Sequence, residues 1–297
     1  MHADRTERER QGQARLDDVS PQRVSVSIVV PTRNSARHVV PCLESIRAQT
    51  YQRVEVVAVD NHSSDGTPEL VAPLADRFLV VGPERSAQRN AGARASSGEH
   101  LLFVDSDMVL EPNVVSECVE AARADSAGRT IAVVPELSVG TGFWARCKAL
   151  ERSCYVGEET IEAARFFPRK FFFELGGFDE HLPAGPEDWD LHERARLAGA
   201  RVARTSAYIH HDEGALRLTQ TLTKKFHYGG SMGAYIRRHP ALARRQLRLI
   251  RPAFVRHWRR LASEPGVAAG MMFMKSLEFL AGAAGLSLAI ARRRRSN

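Results

Sequence analysis

Of 297 residues only 4 are cysteine, Cys42, Cys118, Cys147 and Cys154, and no two form a Cys-x-x-Cys pair. Neither a zinc ribbon nor a disulfide framework is encoded, and a reducing compartment suits such a chain. Aromatic residues are scarce, at 7%. Residues 1–23 contain hardly an apolar side chain and lack the apolar centre of a signal peptide, which predicts a flexible tail on a chain that is not secreted. No run reaches the roughly 20 unbroken apolar residues of a membrane span; the nearest, residues 267–291, contains Lys275 and Glu278. There are no internal repeats, and low complexity is confined to the arginine run at 292–295. What remains is an ordinary globular balance, 43% hydrophobic and 26% charged, which excludes collagen-like, mucin-like and wholly disordered chains. Forty-two Lys+Arg against 35 Asp+Glu leave a net charge of +7. That excess implies an anionic partner: nucleic acid, phosphorylated small molecules or acidic lipid head groups.

Residues 24–30, Val-Ser-Val-Ser-Ile-Val-Val, are a β-branched run stopped by Pro31, as in a buried strand. Val39, Cys42, Leu43 and Ile46 then recur at spacings of three and four, on one face of a helix, and residues 54–59 give a second strand. The alternation continues with a helix at 68–76, a strand at 78–81, a helix at 86–96, a strand at 100–104, a helix at 113–123 and a strand at 131–134. Helical crossovers join parallel neighbours, so the expected fold is α/β, a Rossmann-like mainly parallel sheet of about five strands flanked by helices. The unbroken hydrophobicity of the strands has both sheet faces covered. Later come a helix at 143–155, a phenylalanine-rich stretch at 166–173, a turn at 176–179, a helix at 188–198 and short strands around Val202 and Tyr208. A long arginine-rich helical region begins near Leu216.

In open α/β sheets ligands sit beyond the carboxyl ends of the strands, so the residues directly after each apolar run matter most. Here they are Pro31, Thr32, Arg33 and Asn34, then Asp60 and Asn61, then Asp105, Ser106 and Asp107. Three polar clusters on one sheet edge predict a cleft. The Asp105 and Asp107 carboxylates flank a small residue at a strand end, where they can hold Mg²⁺ or Mn²⁺ or simply cap a turn. Asp60 and Asn61 can exchange hydrogen bonds with a base edge or form an Asx turn. Gly66 permits an unusual backbone angle before the helix at 68, and Thr67 and Ser86 are candidate caps. Arg89 and Asn90 open a helix just before the Asp105 strand, placing Arg89 to pair with phosphate or with Asp105. Gly140-Thr141-Gly142-Phe143-Trp144-Ala145 fits the dinucleotide-binding string, but no strand is predicted directly before it, so no such site is expected.

The ordered set Val-Pro-Thr-Arg-Asn, Val-Asp-Asn-x-Ser-x-Asp-Gly-Thr, Arg-Asn-x-Gly and Phe-Val-Asp-Ser-Asp resembles glycosyltransferase family 2, with its GT-A fold. The likeness runs on through Gly176-Gly177-Phe178-Asp179-Glu180 and Glu187-Asp188-Trp189-Asp190-Leu191 to about His211. It implies an inverting transferase that moves a sugar from a nucleotide-diphosphate donor to an acceptor hydroxyl, with Mn²⁺ or Mg²⁺. In that reading the donor nucleotide meets Pro31, Thr32, Arg33, Asn34, Asp60, Asn61, Arg89, Asp105 and Ser106. Asp188 is the general base, with Glu187 beside it. Asp107 is the first metal ligand, with Asp105 and His211; His211 is preferred to His210 because Asp212-Glu213-Gly214 follows it. Gly176, Gly177 and Phe178 wall the acceptor side, and Trp189 either stacks on a sugar or fills the core. The implied boundaries are a GT-A domain at 24–214 and a basic helical extension at 215–297.

The extension interleaves Lys224, Lys225, Arg237, Arg238, Arg248, Arg251, Arg256, Arg259 and Arg260 with Phe226, Tyr228, Tyr235, Phe254 and Trp258. Residues 267–291 are too apolar for a free helix and are followed by the arginine run. They form either an interfacial anchor on an anionic membrane or a helix docked on the protein's own core or a partner. The expected setting is cytoplasmic, peripheral to the inner face of the cell membrane. The acceptor is then a cell-envelope glycan, lipid-linked or small, and nucleic acid is not expected. The rival readings are a nucleotidyltransferase on the same fold, against which the Glu187-Asp188 pair speaks, and a basic nucleic-acid-binding protein.

Overall fold

The computed structural model describes residues 25–182 and 185–296. The expected tail, residues 1–23, lies outside the described residues, as does Val24 of the first predicted strand. The chain opens as β1 (Val26–Thr32), α1 (Val39–Arg47), β2 (Val54–Asp60), α2 (Thr67–Val71), β3 (Arg77–Val80), α3 (Arg85–Ala95) and β4 (His100–Phe103). It continues with β5 (Met108–Leu110), α4 (Val114–Arg123), β6 (Thr130–Val133), β7 (Glu136–Thr141), α5 (Phe143–Ser153), β8 (Phe166–Pro168) and α6 (Arg169–Glu174). Then follow α7 (Glu187–Leu197), β9 (Arg201–Arg204), β10 (Ile209–Ala215), α8 (Leu218–Arg238), α9 (Pro240–Gln246), α10 (Pro252–Arg256), α11 (Trp258–Ser263) and α12 (Pro265–Ser296).

The main sheet has seven strands in the order β3-β2-β1-β4-β8-β6-β9. All neighbours are parallel except at β8, which runs antiparallel to both β4 and β6. Every residue of β1 is buried, as its run of β-branched side chains requires of a strand covered on both faces. Alternate side chains divide between two cores: Ile28 and Val30 pack toward α1 and α4, while Val29, Val57 and Val59 pack toward α3, α6 and α7. The phenylalanine-rich stretch belongs to the second core, with Phe167, Phe171 and Phe172 buried together and Phe166 in the first. Core packing accounts for these four.

A second sheet, β5-β10-β7, stands at the carboxyl edge of the first. Strand β7 corrects the sequence reading, which placed no strand before Gly140: β7 runs directly to Gly142 and α5. The glycines there serve packing, since a Cβ at Gly140 would come within 2.7 Å of the Gly214 carbonyl oxygen.

The last third is helical, and its joint to the rest is built from α5, α10 and α12 around Cys147, Phe254, Met271 and Met274. Helix α12 also lies along α8 at very close range. A Cβ at Gly229 would collide with the Gly282 carbonyl oxygen, and one at Gly285 with that of Phe226. Glycine is required at this crossing because backbone meets backbone there.

Candidate active site

The carboxyl ends of β1, β2 and β4 form one edge, and the loops that leave them are tied to each other. Thr32 donates to Asp60 Oδ1 at 2.8 Å, and the Ser63 amide and hydroxyl donate to Asp60 at 2.8 and 2.6 Å. The Asn34 amide donates to Ser63 Oγ, and the Ser64 amide to Asn34 Oδ1. Asp60 is thus buried and spends its oxygens on the loop in an Asx-type turn, not on a free edge. Asn61 likewise donates to the Pro83 carbonyl at 2.6 Å. Arg33 and Asn34 are exposed above this frame, and Ser106 lies 2.8 Å from Ser35 through their hydroxyls. Thr67, expected as a cap, is the first residue of α2 and makes no cap bond; its amide donates to Asp65, after Gly66 at φ 85°. Ser86 lies inside α3 and makes no cap bond.

Helix α3 delivers Arg89 to the centre. Its guanidinium is fully buried, donating to Asp105 Oδ1 and to Asp188 Oδ1 at 2.7 Å each, with the Phe178 ring 5.0 Å from its central carbon. One arginine therefore joins the end of β4 to the start of α7. Burial opposes the charge of Asp105, but Arg89, Arg85 and Arg165 outweigh it and hold the carboxyl well below the usual carboxylate range. Asp188 differs: burial raises its pKa, Arg89 offsets this only in part, and neighbouring Glu187 adds to the rise.

The two adjacent acids have different surroundings. Glu187 is fully enclosed; its Oε1 accepts from Arg85 Nε and Nη2 at 3.0 and 2.5 Å, and its Oε2 from the Gly185 amide at 2.5 Å. Asp188 has a side chain 27% exposed and lines a cavity of about 530 Å³. Of the two acids only Asp188 has a side chain open to the cavity, while Glu187 fixes Arg85.

Across the edge, Asp107 and His211 meet, with His211 Nε2 3.1 Å from Asp107 Oδ2. Burial lowers the imidazole pKa, but Asp107 overrides it and pushes His211 up to about 9. Strand alternation sends His210 the other way, to Glu111 at 3.2 Å, which separates the two histidines. Asp107 Oδ1 is buried without a partner. An oxygen and an imidazole nitrogen side by side, with one orphaned oxygen, fit a divalent ion that completes its shell from phosphate and water. Among the described residues no group of three His, Cys, Asp or Glu gathers there. Asp105, expected as a further ligand, instead turns to Arg89.

The acceptor-side loop is pinned from beneath. Asn90 donates to the Phe178 carbonyl at 2.8 Å and accepts from its amide at 2.9 Å, and Gly177, at φ 71°, leaves room for the Asn90 side chain. Phe178 is core, under Arg89, and so supports the wall instead of facing a ligand. Trp189 lines the cavity and donates from its indole to the Ile161 carbonyl at 2.7 Å.

Sequence reading missed Arg85, Glu136 and Arg165. Glu136 accepts from Arg165 Nε at 2.8 Å, also pairs with Arg152, and is held well below the usual range because these cations overcome its burial. It follows the fifth predicted strand directly, so the strand-end rule applied once more would have found it. Arg165 has no such sequence signal; only the insertion of β8 brings it to the edge.

Three comparisons agree with this architecture. The succinoglycan biosynthesis protein ExoO of Rhizobium meliloti is 41% identical over 213 residues, 63% of this chain and 60% of ExoO. The pre-mycofactocin glycosyltransferase of Mycobacterium tuberculosis is 27% identical over 74% of this chain and 49% of its own length. The chain thus matches roughly half to three fifths of these curated relatives. Among solved structures, the mannosyltransferase PcManGT of Pyrobaculum calidifontis, in complex with GDP-Man and Mn2+, superposes with a TM-score of 0.54 at 20% identity, over 91% of this chain and 76% of that one. S. aureus TarS in complex with UDP-GlcNAc does so with a TM-score of 0.53 at 16% identity, over 91% and 92%. These likenesses show a shared α/β fold. The model described as glycosyl transferase family 2 matches residues 27–180, just over half of the chain, and the protein belongs to that family.

Proposed function

We propose that the chain transfers a sugar, with inversion, from a nucleotide-diphosphate donor to a hydroxyl of a cell-envelope glycan acceptor, lipid-linked or small, with Mn²⁺ or Mg²⁺. The observation that carries this is the pair of environments held apart by Arg89: a partly buried carboxyl with a raised pKa at Asp188, open to the cavity, and an arginine-held carboxylate at Asp105. A general base must face the cleft and take a proton readily, and Asp188, partly open to the cavity with a raised pKa, suits both needs. Arg89 and Glu187 orient it, the second through Arg85. The loops of Arg33, Asn34, Asp60 and Asn61 frame the nucleoside, and Ser106 with Asp105 borders the diphosphate. Asp107 and His211 would hold the metal ion, which supplies charge neutralisation for the departing diphosphate. The cited structures with GDP-Man and with UDP-GlcNAc support a sugar-nucleotide donor, and similarity to a succinoglycan biosynthesis protein supports a glycan acceptor. The exposed apolar face of α12, including Phe273 and Leu280, supports a peripheral place on the inner face of the cell membrane.

The test is thermal stabilisation by a panel of sugar nucleotides and nucleoside diphosphates with and without Mn²⁺ or Mg²⁺, since a ligand of the folded state alone raises its melting point. A metal-dependent shift with one nucleotide class is expected and names the donor. No shift with any of them would overturn the reading.

A further inference from the structure

The cavity that begins at Asp188 ends against the C-terminal helices, where α5, α8 and α12 bring charged side chains together. Lys148 lies 2.8 Å from Glu151 and 3.1 Å from Glu278, and Lys275 pairs with Glu151. Tyr155 donates to Glu151 at 2.8 Å, and the Arg251 guanidinium stacks 4.7 Å above its ring. Lys225 lines the same space and forms no ion pair among the described residues. The lining at this end thus includes five cations, Lys148, Lys225, Arg248, Arg251 and Lys275, and two carboxylates, Glu151 and Glu278. Positive charge in excess at a buried site is costly unless an anion compensates it or a proton is lost. Lys225 bears its cost: burial, aided by Lys148, brings its pKa down to about 8. A second, independent feature is Glu278 Oε2, which is buried with no hydrogen-bond partner, Lys275 standing 3.8 Å away.

We infer that this end of the cavity binds the acceptor through a phosphate group held by Lys225, Lys275 and Arg251, with a neighbouring hydroxyl donating to Glu278. The ligand class is a sugar phosphate, either soluble or as the head group of a lipid. Walls contributed by Phe279, Leu286 and Ile236 give an attached apolar chain a surface to follow. This inference rests on the proposed glycosyl transfer, since it assigns the phosphate to the acceptor.

The experiment uses the full chain with a chelator present, so that the donor site has no metal. Inorganic pyrophosphate is titrated calorimetrically into the wild type, Lys225→Met and Lys225→Glu; the milder variant keeps the test valid if the charge reversal does not fold. Flotation on phosphatidylcholine vesicles with and without phosphatidic acid is run in parallel. The wild type is expected to bind pyrophosphate, Lys225→Met roughly tenfold more weakly, on the scale of one charge-assisted hydrogen bond, and Lys225→Glu not at all. Stabilisation by nucleoside diphosphate with Mn²⁺ is expected to be the same in all three. Flotation on phosphatidic acid that depends on Lys225 assigns a lipid phosphate; an effect confined to pyrophosphate assigns a soluble one. Equal binding of both probes by wild type and variants, or none by the wild type, overturns the inference. Failure of nucleoside diphosphate to bind the wild type instead overturns the proposed transfer and leaves the phosphate result standing.

Discussion

A single guanidinium decides how Asp188 behaves. Because burial raises the Asp188 pKa and Arg89 only partly restores it, the acid limb of the transfer rate should lie above the usual carboxylate range, with activity falling as pH drops through it. A rate-pH profile with no acid limb there would remove Asp188 as the base. Asp188→Asn should lose transfer by about 10²–10⁴-fold, as general-base removal does, while nucleotide binding by calorimetry stays near wild type. The same shift fixes the sign for stability. A folded pKa above the unfolded one gives stability that is full at low pH and is lost as pH rises through the folded value. At neutral pH Asp188→Asn should therefore melt no lower than wild type. Arg89→Met should do the reverse, stranding Asp105 and Asp188 at a cost of about 3–5 kcal/mol in urea unfolding. Part of this was legible: Asp105 follows an apolar run, Arg89 lies on the helix before that strand, and Asp188 was singled out by the family resemblance. What was hidden is how Asp60 and Glu187 are occupied. Whether a carboxylate faces a ligand or its own loop depends on partners such as Ser63 and Gly185, and neither spacing nor residue type identifies those.

At the scale of elements, the first five predicted strands stand where hydrophobic runs place them, because both faces of β1, β2 and β4 are covered and the pattern is strong. Strand β8 was legible as an aromatic stretch but not as the antiparallel strand between β4 and β6. Its neighbours lie more than 30 residues away on one side, and pairing at that range leaves no periodic trace. The α8–α12 crossing is of the same kind: Gly229, Gly282 and Gly285 read as helix weakeners until the partner helix is seen. Gly285→Val should force the helices apart, lowering the urea midpoint and exposing α12 to protease. An unchanged midpoint would show that the crossing adjusts freely.

For the molecule as a whole, net charge and apolar content pointed to an anionic partner and a C-terminal helix in contact with something, and the structure divides that helix. Met271 and Met274 of α12 face the protein, while Phe273 and Leu280 are 56% and 63% exposed. Docking therefore occupies one face of α12, and the apolar side chains that the proposed lipid contact would use occupy another. Replacing Phe273 and Leu280 by serine should abolish flotation on anionic vesicles and leave the melting temperature unchanged; flotation equal to wild type would end the membrane reading. The division of the cavity between early and late parts of the sequence also has a consequence in time. The strand edge with Arg89, Asp105 and Asp107 is complete once β10 has paired with β5 and β7, but the cavity's far wall comes from α8 and α12. Since chains fold from the N-terminus as they are made, a growing polypeptide acquires this strand edge first. It acquires the enclosed far end of the cavity only when α12 has left the ribosome.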